Sequence, residues 1–136
     1  MSTRKPIRVL VVDDNDLTRA LLSVILRSGE YEVVAEATTA KEGLEMARKL
    51  HPDVVLLDHN MPNGYGVDIV EPLRQSLPQS VILMVTTQNE KRVVELAIER
   101  GANGFVVKPF NTATVLETMK KSTSEFTYAP AARVAF

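Results

Sequence analysis

Cysteine is absent from this 136-residue chain, which removes disulfides, thiolate metal sites and thiol catalysis together and is compatible with a cytoplasmic protein. A charge excess is missing too: 16 lysines and arginines face 17 acids, for a formal net charge of -1. There is no broad electrostatic attraction for nucleic acid or for an anionic membrane, so a partner must be recognised by a local surface. Long apolar runs are also lacking. The first, Ile7 to Val12, follows a basic start and stops at two aspartates, too short for a signal sequence or a membrane span. What remains, 45% hydrophobic and 24% charged residues, is the composition of one globular domain with a single substantial core.

Four short runs rich in β-branched residues read as buried strands: Ile7 to Val12, Val54 to Leu57, Val81 to Val85 and Phe105 to Val107, with Glu32 to Ala37 a more polar fifth. Between them the period changes. Leu17, Ala20, Leu21, Val24 and Ile25 fall at i, i+3, i+4, i+7 and i+8, which predicts a helix that buries this face and ends at Gly29. Ala40, Gly43, Leu44 and Ala47 predict a second helix that stops before Pro52. A third is expected from Val67 to Leu77, a fourth from about Glu90 to Arg100 with Gly101 at its end, and a fifth from Asn111 and Thr112 to about Lys121. Repeated β-α units imply an α/β fold, a doubly wound five-stranded parallel sheet with helices on both faces. Residues 1–122 form the expected domain. The segment 123–136, with Ser, Thr, Pro and Ala but no period, is expected to be a linker or disordered tail.

In an open parallel sheet, ligands bind beyond the carboxyl ends of the strands. The expected strand ends carry Asp13 and Asp14, Asp58, Thr86 and Thr87, and Lys108 with Pro109. Singly, each has an ordinary explanation. Asp13 and Asp14 can cap a helix starting near Asn15, Asp58 can open a turn into Pro62 and Gly64, Thr86 suits a strand, and Lys108 can be a solvated charge. Together they gather three carboxylates, a hydroxyl and an ammonium on one sheet edge. Such carboxylates repel unless neutralised. Mg²⁺ meets that demand: it takes oxygen ligands, often one or two protein carboxylates, and keeps positions for water and phosphate. With Lys108 adding positive charge, the set suits phosphoryl transfer to a carboxylate nucleophile such as Asp58. His59 reads as an exposed loop residue, and His51 as one favoured by a helix C-terminus.

The segments Val11-Val12-Asp13-Asp14, Val55-Leu56-Leu57-Asp58-His59-Asn60-Met61-Pro62, Met84-Val85-Thr86 and Val107-Lys108-Pro109-Phe110, in this order and spacing, resemble the receiver domains of two-component response regulators, especially the CheY type. The resemblance spans about residues 7 to 121 and implies a flavodoxin-like (βα)5 fold with strand order 2-1-3-4-5, for which CheY is itself a standard example. It implies that Asp58 is the phosphoacceptor, Asp14 a direct Mg²⁺ ligand, Asp13 a partner acting largely through water, and the backbone carbonyl of Asn60 a further ligand. Lys108 would contact the phosphoryl group, with a cis bond to Pro109. Thr86 would turn its hydroxyl to the new phosphoryl oxygens and Phe105 would swing inward behind it, changing the surface around residues 90 to 121. The alternative for Phe105 is an ordinary core aromatic.

The sequence departs from the family pattern at Thr87, where many relatives have a smaller alanine, and at Tyr65, where an aspartate is frequent. Thr87 narrows access to Asp58, while Asn60 and Gln88 stand at positions that tune acyl phosphate lifetime. The resulting expectation is a signalling phosphoacceptor, not an enzyme for outside substrates, that assists its own phosphorylation and dephosphorylation. Its partners would be a sensor histidine kinase or phosphotransfer protein and a downstream output protein or domain. Neither nucleic acid nor membrane is expected to bind, and the protein would be a monomer or a phosphorylation-dependent dimer. The alternatives are a phosphorylation-independent pseudo-receiver and the N-terminal receiver of a longer effector. An aspartyl-phosphate hydrolase is disfavoured because position 60 is asparagine, where those enzymes place a second aspartate.

Overall fold

The computed structural model describes residues 5–61 and 64–124. Its strands are β1 (Arg8–Val12), β2 (Glu32–Ala37), β3 (Val54–Asp58), β4 (Val81–Thr87) and β5 (Gly104–Lys108). They alternate with helices α1 (Asp16–Ser28), α2 (Ala40–Leu50), α3 (Val70–Ser76), α4 (Lys91–Arg100) and α5 (Thr112–Ser122). All paired strands are parallel, in the order β2-β1-β3-β4-β5, which is the expected doubly wound topology.

The strand period of two divides the core. Leu10, Val12, Val55, Leu57, Ile82 and Met84 pack on one face with α2, α3 and α4. Val9, Val11, Val54, Leu56, Leu83 and Val85 pack on the other with α1 and α5. A central strand covered on both faces gains nothing from a polar position, so it reads as an unbroken apolar run. In β3 all five residues are buried.

The helix α1 corrects the expected buried face. Leu17, Leu21 and Val24 are 79%, 46% and 63% exposed, and Ala20 is exposed too; the core side consists of Leu22, Ser23, Ile25 and Leu26. Both stripes obey the helical period, and only Ile25 belongs to the expected one. Tertiary anchors choose between them. Asn15 caps the helix by accepting the Thr18 N–H, and Arg19 donates to the Asp13 carbonyl and to Glu36, which fixes the rotation of the first turns.

The third helix is shorter than expected, because Gly66–Ile69 forms a 3-10 turn ahead of α3. Pro72 lacks the N–H that would reach the Asp68 carbonyl, and its ring crowds that oxygen, so a continuous α-helix from residue 67 is blocked. At the far end, Thr123 is buried and its hydroxyl donates to the Met119 carbonyl. The remainder of the expected tail, 125–136, lies outside the described residues, as do Pro62 and Asn63. Among the described residues no helix is long and apolar enough to cross a membrane.

Candidate functional site

Parallel strand register brings the ends of β1, β3, β4 and β5 to one edge, with Asp58 opposite Val85 and Thr87 opposite Lys108. Asp13 follows β1 directly and is 1% exposed. Its N–H donates to the Ala37 carbonyl, its Oδ1 accepts the Asn15 N–H at 2.8 Å, and its carbonyl accepts from Arg19 at 2.8 Å. Arg19 also pairs with Asp16 and Glu36, so one guanidinium ties the acidic loop to the helix and to β2. Asp14, next in line, is exposed.

Asp58 closes β3 and is 3% exposed. Gly66 packs directly on its backbone: a Cβ there would collide with the Asp58 carbonyl, and the Gly66 N–H donates to the His59 carbonyl at 2.9 Å. The glycine after Tyr65 is therefore a packing requirement of the end of β3. Lys108, the last residue of β5, extends Nζ to Asp58 Oδ1 at 2.8 Å. Asp13, Asp14 and Asp58 each offer a carboxylate oxygen within 4.8 Å of the others. The peptide bond from Lys108 to Pro109 is cis, as the resemblance implied.

The other sequence candidates fall around this centre. Thr86 is buried at the end of β4, but its hydroxyl donates to Glu90 Oε1 at 2.7 Å. Thr87, Gln88 and Asn60 are exposed, and the Asn60 side-chain amide donates to Glu90 Oε2 at 3.1 Å. Phe105 is 44% exposed, so the core-aromatic alternative is not the one realised. His59 corrects a second expectation. It is buried, with its ring stacked on Tyr65 at a centroid distance of 4.9 Å, so the side chain next to Asp58 is covered by that aromatic. His51 ends α2 in the left-handed conformation, and its carbonyl accepts from Arg8. Glu90 was missed by sequence reasoning: its only signal is a carboxylate four residues after Thr86, directly ahead of a helix.

The model of the response regulator receiver domain matches residues 9–120. This chain belongs to that family. The receiver is 36% identical over 114 residues to the chemotaxis protein CheY of Thermotoga maritima, an alignment covering 84% of this chain and 95% of the relative. Among solved structures it resembles chemotaxis protein CheY4 of Vibrio cholerae, with a TM-score of 0.80, 34% identity and coverage of 87% of this chain and 99% of the other. It also resembles a chain in the CheX-CheY-BeF3-Mg+2 complex from Borrelia burgdorferi, with a TM-score of 0.81, 25% identity and coverage of 85% and 88%.

Electrostatically, the receiver site is short of positive charge. Burial pushes the Asp58 carboxyl above its ordinary range, the Lys108 hydrogen bond and charge pull it back, and Asp14 pushes it up again. Asp13 is likewise raised, mainly by burial and then by repulsion from Asp58 and Asp14, against the Asn15 hydrogen bond and the Lys108 charge. For Lys108, burial alone would lower the pKa, but the hydrogen bond and charge of Asp58, with Asp13 and Glu90, reverse this and hold the ammonium protonated. The two ends of the Asp58–Lys108 pair thus report different balances: the lysine is surrounded by acids, whereas the aspartate shares one lysine with two other carboxylates. Asp13 Oδ2 is buried without a hydrogen-bond partner among the described residues. Three convergent carboxylates, one orphaned oxygen and a single ammonium fit a hard divalent cation with oxygen ligands.

Proposed function

We propose that Asp58 accepts a phosphoryl group from the phosphohistidine of a sensor kinase or phosphotransfer protein, and that the added charge alters the surface formed by α4, β5 and α5. The observation carrying this reading is the buried Asp58 carboxylate, paired with Lys108 at 2.8 Å and set within 4.8 Å of two further carboxylates. Asp13, Asp14, Asp58 and the Asn60 backbone carbonyl would hold Mg²⁺, with Asp13 acting largely through water. Bound Mg²⁺ would supply the positive charge that lets these carboxylates stand beside phosphoryl oxygens.

In the transfer, a carboxylate oxygen of Asp58 forms the new P–O bond while the donor's P–N bond breaks and the imidazole keeps the bonding pair. Little covalent chemistry is asked of the protein beyond placing this nucleophile. Lys108, already on Asp58, follows the charge onto a phosphoryl oxygen. The Thr86 hydroxyl then turns to another oxygen, and half-exposed Phe105 moves into the space behind it. Thr87, Gln88 and Asn60 line the approach and tune how long the acyl phosphate lasts. The Borrelia CheX-CheY-BeF3-Mg+2 complex supports this reading by similarity. The protein would act as a signalling phosphoacceptor in the cytoplasm that assists its own phosphorylation and dephosphorylation.

Incubation with acetyl phosphate or beryllofluoride, with and without Mg²⁺, tests the proposal. Wild type is expected to form a Mg²⁺-dependent adduct that Asp58→Asn abolishes. Lys108→Ala should still bind Mg²⁺ but lose most of the response. An adduct that persists in Asp58→Asn, or none in wild type, refutes the assignment.

A further inference from the structure

The Glu90 carboxylate holds four donors at the mouth of the site. Oε1 accepts from the Thr86 hydroxyl at 2.7 Å, the Thr87 N–H at 3.1 Å and the Thr87 hydroxyl at 3.1 Å, and Oε2 accepts from the Asn60 amide at 3.1 Å. Its side chain is only 16% exposed, and His59 Nε2 lies 3.9 Å away. Burial would raise its pKa, but the hydrogen bonds from Thr86 and Thr87 and the proximity of His59 outweigh this and hold it below the ordinary carboxylate value. Ordinary helix capping does not account for it, because Glu90 accepts no side-chain bond from the N–H groups of α4.

A threonine hydroxyl has one proton to donate. While that proton is given to a charged acceptor at 2.7 Å, it is not available to a phosphoryl oxygen on Asp58. We propose that Glu90 is a positioning residue that sets the threshold for phosphorylation, by competing with the phosphoryl group for the Thr86 hydroxyl and by holding the Asn60 side chain. The inference rests on the phosphoacceptor reading of Asp58 and adds the element that resists it. Glu90 immediately precedes α4, so departure of Thr86 removes the shortest of the four hydrogen bonds on the residue at which that helix begins. Release of one hydrogen bond thereby reaches the switching surface without an intervening chain of contacts.

The 136-residue chain titrated with beryllofluoride in Mg²⁺, followed by ¹H–¹⁵N NMR, tests this with four forms: wild type, Glu90→Ala, Thr86→Ala and the double variant. Glu90→Ala should bind about tenfold more tightly than wild type, since a charge-assisted hydrogen bond no longer has to be broken. In the Thr86→Ala background the same substitution should change affinity less than about twofold, because the contested proton is gone. Glu90→Gln, which keeps an acceptor oxygen without charge, should gain about threefold and carries the test if the alanine variant does not fold. Wild type that takes no Mg²⁺-dependent adduct overturns the phosphoacceptor reading and this inference with it. Normal binding by wild type with Glu90→Ala unchanged or weaker overturns the inference alone. An equal gain in both backgrounds also overturns it, because Glu90 would then act by repulsion and not through Thr86.

Discussion

Replacing Asp13 by asparagine should make the metal-free protein more stable, although Asp13 lies at the centre of the site. Asp13 is 1% exposed; its Oδ1 accepts the Asn15 N–H, and its Oδ2 has no partner among the described residues. Asparagine keeps the accepting oxygen and presents an NH₂ toward the carboxylates of Asp14 and Asp58, whose oxygens lie within 4.8 Å of those of Asp13. It exchanges an orphaned acceptor and a like-charge repulsion for a hydrogen bond. An unsatisfied buried polar group costs about 1–3 kcal/mol, and because Asp14 is exposed and water reaches the mouth, the lower half of that range applies. With a urea slope of about 2 kcal/mol/M, the midpoint should rise by about 0.5–1 M in EDTA at neutral pH.

The pH dependence has a definite sign. The folded pKa of Asp13 lies above its ordinary 3.8, so the folded state binds the proton more readily than the unfolded one, and ionisation penalises the fold. That penalty is complete above the folded pKa and gone below 3.8. The advantage of Asp13→Asn should therefore shrink as pH falls from 7 toward 4. With Mg²⁺ present, wild type should gain more stability than the variant, since ligand binding to the folded state adds by mass action. A variant that is no more stable than wild type in EDTA at pH 7, or a gap that widens on acidification, refutes the reasoning.

Gly66→Ala should cost about 2–3 kcal/mol in urea unfolding, because the new methyl meets the Asp58 carbonyl and the Leu57 side chain and backbone cannot yield as a flexible side chain would. The same variant should lower adduct formation at Asp58 in whatever fraction stays folded, measured with acetyl phosphate. Leu26→Ala should cost about 2–5 kcal/mol, whereas Leu17→Ala should stay within about 0.5 kcal/mol. Equal losses in thermal or urea unfolding would contradict the observed rotation of α1.

The strands were legible because each is a run of β-branched and aliphatic residues whose neighbours on both faces are apolar, as Val54 to Leu57 illustrate. The site was legible because Asp13, Asp14, Asp58, Thr86 and Lys108 stand at the ends of those runs, and parallel pairing leaves strand ends on one edge. Helix stops at Gly29 and Gly101 were equally local. The break before α3 follows from Pro72 and was readable in principle, but the apolar period at Val67 and Val70 masks it.

By itself, then, the sequence determined the order of elements, the parallel doubly wound sheet and the residues that meet at its edge, since these depend on periodicity and residue type over a few neighbouring positions. Tertiary structure alone decided which of two helical stripes on α1 faces the core, that His59 lies under Tyr65, and that Thr86 gives its proton to Glu90. Those outcomes depend on competition between partners brought together by the fold: Arg19 with Glu36, His59 with Tyr65, and one hydroxyl proton with the acceptor that reaches it first.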